Sequence, residues 1–231
     1  MTPEQHERAQ RLKAVQLLGR VYVGGIPFDA GEQEIAEAFR PFGAIQQCAF
    51  TYDQALNKHK GFCFVEYDAP EAALLALEQM TSYNIKGRTL KIGRPNNAPQ
   101  ALPYLETLAA KAAEAHRIYV SSIHPDLGEL EIKSVFESFG PVTRVILAPG
   151  AEGKGNHRGY GWVDFEEQKS VPDAIKSMNL FDLGGQFLRV SIGIRFDTRP
   201  RMSPSRPLAF LYGVWDTSSS CAACFIFFTL V

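Results

Sequence analysis

The chain repeats itself. Val21-Tyr-Val-Gly-Gly-Ile26 returns as Ile118-Tyr-Val-Ser-Ser-Ile123, and Ala38-Phe-Arg-Pro-Phe-Gly43 as Val135-Phe-Glu-Ser-Phe-Gly140, both 97 residues on. Lys60-Gly-Phe-Cys-Phe-Val-Glu-Tyr67 returns as Arg158-Gly-Tyr-Gly-Trp-Val-Asp-Phe165, and Leu90-Lys-Ile92 as Leu188-Arg-Val190, both 98 residues on. Four blocks in one order imply two copies of one domain of roughly 80 residues. The single extra residue falls where a loop tolerates insertion.

One copy reads as strand, helix, strand, strand, helix, strand. Residues 20–25 alternate apolar and surface positions, which suits a strand. Glu32–Phe42 carries Ile35, Ala38, Phe39 and Phe42 at helical spacing and closes on Pro41-Phe-Gly43. Ile45–Tyr52 is a second strand, Asp53–His59 a polar loop and Lys60–Tyr67 a third strand. Pro70–Met80 is a helix with Pro70 in its first turn, where a missing N–H is harmless, and Arg88–Gly93 is the last strand. The second copy follows through Glu129–Phe139, 158–165, Val171–Met178 and Phe187–Ile192. The pattern predicts an α+β, ferredoxin-like βαββαβ domain, twice: an antiparallel four-stranded sheet with both helices on one face and the other face open.

In a strand, residues i and i+2 share a face. Gly61, Cys63, Val65 and Tyr67 therefore point toward the helices, and Lys60, Phe62, Phe64 and Glu66 point away. On the first strand Val21 and Val23 point in and Tyr22 points out. Tyr22, Phe62 and Phe64 are thus expected together on the open face, and Tyr119, Tyr160 and Trp162 likewise in the second copy. Such an apolar patch needs something to cover it. Unpaired bases can stack there, while Lys60, Lys91, Arg158 and Arg189 reach phosphates. Two other readings stand beside this one: aromatics that belong to a core, and a domain converted to protein binding.

Bulk charge is not the attraction. Lys plus Arg is 24 and Asp plus Glu 25. Residues 18–95 hold 8 basic and 9 acidic groups and residues 116–196 hold 9 and 10, so each copy sits near −1 and any phosphate contact is local. Four cysteines are too few for a disulfide scaffold, and Cys221-Ala-Ala-Cys224 lacks the second ligand pair of a zinc site. No metal or cofactor is expected. Gly150–Gly155 is too short for a phosphate loop, and Gly155 stands where Ser or Thr is required. No nucleophile with its base appears, so no enzyme is expected. Glu32, Glu34 and Glu37 read as a solvated helix face; His59 and His157, each just before the aromatic octamer, read as solvated turn residues. The N-terminus has no apolar core of a signal peptide, and no run of ~18 apolar residues suggests a membrane span.

These residues carry a resemblance. Lys60–Tyr67 and Arg158–Phe165 resemble the ribonucleoprotein octamer of the RNA recognition motif, and Val21–Ile26 and Ile118–Ile123 its hexamer, with Cys63 and Trp162 as mild departures. The runs His59-Lys-Gly-Phe62, Pro70-Glu-Ala-Ala73, Leu77-Glu-Gln-Met80, Lys91-Ile-Gly-Arg-Pro95, Ile132-Lys-Ser-Val-Phe136 and Met178–Gln186 are similar to the poly-U-binding splicing factor (Half-pint) family over about residues 18–195. The resemblance implies binding of uridine-rich single-stranded RNA at pyrimidine tracts near 3′ splice sites, beside the large pyrimidine-tract auxiliary factor, in the nucleus. It also implies single-stranded DNA binding with transcriptional repression as an alternative. A protein-interaction module using the helical faces is a third reading. Family members continue into a third, protein-binding domain. Here Thr198–Pro207 is linker-like and Leu208–Val231 turns apolar, either as an isoform end or as a translated intron.

The expected organisation is a polar helical extension over 1–17, domains over 18–95 and 117–196, a partly helical linker over 96–116 and an irregular tail over 197–231.

Overall fold

Valines at alternate positions fix the centre of the first sheet. A computed structural model describes residues 5, 9, 14–53, 58–95, 116–150 and 157–194. Strand β1 (Arg20–Gly24) lies between β3 (Lys58–Tyr67) and β4 (Lys91–Gly93), and β2 (Ile45–Asp53) flanks β3, giving the antiparallel order β2-β3-β1-β4. The register places Val21 opposite Val65 and Val23 opposite Cys63. All four are fully buried, as the alternation requires. Onto this face pack Ile35 and Phe39 of helix α1 (Glu32–Phe39) and the alanine-rich side of α2 (Pro70–Gln79), where Ala72, Ala73 and Ala76 let the helix come close. Burial pushes the Tyr67 hydroxyl well above its ordinary pKa; it donates to the Phe39 carbonyl at 2.9 Å. Cys63 shares a thiol hydrogen bond with Cys48; that contact and burial hold its pKa well above the ordinary thiol range.

The second copy repeats the plan. Strands β5 (Arg117–Ser121), β6 (Val142–Pro149), β7 (His157–Phe165) and β8 (Arg189–Ile192) take the order β8-β5-β7-β6. Helices α3 (Glu129–Phe136) and α4 (Ser170–Met178) cover one face with Ile132, Phe136 and Ala174 against Ile118, Val120 and Val163. Before α1 and α3 a glycine N–H donates to the helix's third residue, Gly31 to Glu34 at 3.0 Å and Gly128 to Glu131 at 2.9 Å. The octamer glycines have a mechanical role. Gly61 and Gly159 sit at φ +79° and +80°, which frees their carbonyls to accept the N–H of Ile26 and Ile123.

Two sequence expectations need adjusting. The loop expected at Asp53–His59 is shorter, because Tyr52 pairs with His59 and Asp53 with Lys58 after a bulge, and the Phe50 and His59 rings meet edge-on at 5.2 Å. Arg88–Gly93 is not one strand. Arg88–Thr89 pairs back onto Asn84–Ile85, and buried Leu90 separates this hairpin from β4. Helical residues 14–18 pack Ala14 and Leu18 against Ile194. The linker expected to be partly helical and the tail expected to be irregular lie outside the described residues. Among the described residues no helix is long and apolar enough to cross a membrane.

Candidate nucleic-acid interface

On the first sheet Tyr22 stands opposite Phe64, and Gly24 opposite Phe62. The three rings form a triangle with centroids 5.9, 5.8 and 6.1 Å apart on the face away from α1 and α2. All three are half-buried, and Lys60 and Lys91 beside them are exposed. Gly24 makes room for this arrangement, since a Cβ there would stand 2.6 Å from the Tyr22 hydroxyl. Arg20 completes the face. Its guanidinium lies 4.5 Å from the Phe64 centroid, and its Nε is 3.0 Å from Glu66 Oε1. Sequence reasoning passed over Arg20, although it shares strand parity with Tyr22 and the alternation that found Tyr22 could have found it.

The second sheet builds the same triangle. Tyr119 stands opposite Trp162, and the Tyr119, Tyr160 and Trp162 centroids are 6.0, 6.0 and 5.6 Å apart. These rings point away from α3 and α4 as expected, yet they do not meet solvent: their exposures are 0%, 5% and 4%. The expectation of a second open triad is corrected. The helical face of the first domain covers it, and Tyr119, Ala148, Tyr160 and Trp162 join the same buried cluster as that domain's core.

Every polar head of the covered triad has an acceptor waiting. The Tyr119 hydroxyl donates to the Phe42 carbonyl at 3.0 Å, the Tyr160 hydroxyl to Asp68 Oδ2 at 2.9 Å and Trp162 Nε1 to Glu71 Oε1 at 3.0 Å. Ser121 Oγ donates to the Pro41 carbonyl at 3.0 Å, and Arg158 pairs with Asp68. Arg189 Nη1 donates to Gln79 Oε1 at 2.5 Å, and its guanidinium lies 5.2 Å from the Phe42 centroid. Gly43, just after the 3₁₀ turn Arg40–Phe42, permits the contact. A Cβ there would stand 2.6 Å from the Tyr119 hydroxyl and 2.7 Å from Ala72 Cβ. The seam is packed like a protein interior and gives each ring's polar head an acceptor, which is what removes an aromatic sheet from water.

The two histidines are also corrected, since both are buried rather than solvated. His59 Nδ1 accepts from Gly61 N at 3.1 Å and His157 Nδ1 from Gly159 N at 3.0 Å, each bracing the octamer's glycine. His157 Nε2 also reaches the Leu127 carbonyl at 2.8 Å. Glu32, Glu34 and Glu37 are exposed, as read from the sequence, and Glu34 pairs with Lys86 at 2.8 Å. That hydrogen bond, with the one from Gly31, lowers the Glu34 pKa; the Glu34 carboxylate in turn raises that of Lys86.

Two sheets of order 4-1-3-2 type, each with aromatics on its two central strands, define a protein with tandem RNA recognition motifs. The RNA recognition motif model matches residues 21–91 and 118–189, and the chain belongs to that family. Its sequence is also similar to individual proteins. The human poly(U)-binding-splicing factor PUF60 is 47% identical over 207 residues, which is 90% of this chain and 37% of that protein. The Drosophila melanogaster poly(U)-binding-splicing factor hfp is 49% identical over 190 residues, 82% of this chain and 30% of that protein. The chain thus spans about a third of these relatives' length. Among solved structures, the first two RRM domains of yeast poly(U) binding protein (Pub1) match 74% of this chain and 97% of theirs, at 23% identity and a TM-score of 0.31.

Proposed function

We propose that this chain binds uridine-rich single-stranded RNA and acts in pre-mRNA splicing, on pyrimidine tracts near 3′ splice sites. The observation that carries the reading is the accessible Tyr22–Phe62–Phe64 triangle, flanked by Lys60, Lys91 and Arg20. Bases stack on such rings while the cations meet phosphates. The relatives named as poly(U)-binding splicing factors support both the base class and the process. In this reading residues 18–95 and 117–196 are the two modules, and the first module's sheet carries the stacking. The second module braces the first through Tyr119, Tyr160 and Trp162. The work is binding rather than catalysis. It takes place in the nucleus, beside splicing factors of the 3′ splice site such as the pyrimidine-tract auxiliary factor.

The test compares a U-rich RNA, the matched T-rich DNA and a scrambled purine strand. RNA should exceed the purine strand by roughly tenfold or more, ~1.4 kcal/mol. Equal binding of the purine strand would sink the base preference, and tighter binding of DNA would shift the reading to transcription.

A further inference from the structure

A groove of about 710 Å³ runs along the seam between the two domains. Glu37 and Arg40 line it from the first domain, and Ser122, His157, Arg158 and Arg189 from the second. A neighbouring hollow shares Glu37, Arg40, His157 and Arg158 with it. Three guanidinium groups thus face one open space.

Their pairing is incomplete. Arg158 has Asp68. Arg189 is half-buried, yet its partners among the described residues are a neutral amide and a phenyl ring, and its buried Nε has none there. Withdrawing a guanidinium from water without a counter-charge is unfavourable, and desolvation lowers the Arg189 pKa accordingly. Arg40 is exposed and makes no ion pair among the described residues. Ser122 adds a polar wall at φ +61°, a left-handed conformation that Gly25 takes without strain at the same point of the first domain. Glu37 is the opposing charge. Asp68 is matched by Arg158, which leaves the groove with a net positive lining.

We propose that this groove binds a phosphate of the same RNA strand, beyond the segment stacked on the first sheet. A phosphodiester supplies the anion that Arg189 and Arg40 lack, and planar guanidinium forks suit its oxygens. Docking the second sheet thus buries its stacking rings but leaves its cationic rim in use. The inference rests on the proposed function for its ligand, a single strand of RNA.

The test is binding of uridine tracts of about four and about sixteen nucleotides, the span of single-strand sites, by the whole chain, wild type, Arg40→Glu, Arg189→Gln and Phe64→Ala. Arg40→Glu should weaken the long tract by roughly five- to tenfold and lower the salt slope by about 0.7. The short tract should bind unchanged, and so should thermal stability. Arg189→Gln should act in the same direction; if it fails to fold, Arg40→Glu alone decides. Unchanged binding of the long tract by Arg40→Glu, or an equal loss on both tracts, overturns the groove. Displacement of a phosphoserine peptide but not of RNA by that variant overturns the RNA assignment. Phe64→Ala should weaken both tracts; if it binds like wild type while Arg40→Glu does not, the stacking reading falls and the groove stands.

Discussion

The two sheets of this molecule carry the same aromatic triangle and put it to opposite uses. Tyr22, Phe62 and Phe64 meet solvent, whereas Tyr119, Tyr160 and Trp162 are sealed against the helical face of the preceding domain. Ring spacings are alike within half an ångström. Local geometry therefore does not decide whether such a face binds a strand. What decides is whether another surface of the chain presents carbonyls and carboxylates where the hydroxyl and indole groups end. Phe42, Asp68 and Glu71 do so for the second triangle. A tether of some 20 residues keeps that surface at high effective concentration.

The contrast is open to direct attack. The largest effect should come from Trp162→Ala, which empties a buried site and removes the donor to a fully buried carboxylate. It should lower the unfolding free energy by ~3–5 kcal/mol in a denaturant titration. A surface-like loss below ~0.5 kcal/mol would mean that the seam is not a core. Phe64→Ala, at the equivalent place on the open sheet, should leave stability nearly unchanged and weaken RNA binding by ~1–3 kcal/mol. Equal binding would remove the first sheet from the site. Tyr119→Phe keeps the ring and deletes only the hydroxyl bond to Phe42, so stability should fall by ~0.5–1.5 kcal/mol. The Tyr22 hydroxyl has no such bond among the described residues, so Tyr22→Phe should show no change by the same melt.

The smallest difference lies in acid titration. Glu34 is lowered from its usual 4.5 by Lys86, while the matching Glu131 of the second domain has Gly184 where Lys86 would be. A carboxylate lowered in the folded state stabilises above its unfolded pKa, and the contribution is lost as the pH falls through the folded value. Both groups are exposed, so the effect is slight. The gap in melting temperature between wild type and Lys86→Met should be present at pH 7 and close below pH 4.5. A gap that persists unchanged at pH 3 would show that the pairing is not its source.

Strand period made the orientation of all six rings legible in the sequence. Tyr119 and Trp162 do point away from α3 and α4, as Tyr22 and Phe64 do from α1 and α2. What covers Trp162 was not legible, because its acceptor Glu71 lies 91 residues earlier. Glu71 reads locally as an ordinary first-turn acid of α2, a place that favours negative charge whatever else it does. Ala72 and Gly43 are similar cases, small for helix packing in any single domain and needed here for a second approach. His59 and His157 misled because polar residues beside a loop suggest solvent. Their Nδ1 atoms serve the glycine two residues on, a local bond that burial alone reveals.

The dependence of one domain on the other runs in a single direction along the chain. The surface that seals Tyr119, Tyr160 and Trp162 consists of residues 41–79, all made before residue 117 leaves the ribosome. Domains tend to fold as units, N-terminal first, during synthesis. The second sheet thus emerges to find its cover already built, and its aromatic face spends little time as a sticky surface. A circular permutant with residues 117–194 placed first would make the same protein in the reverse order. It should aggregate more during synthesis while matching the native chain once folded.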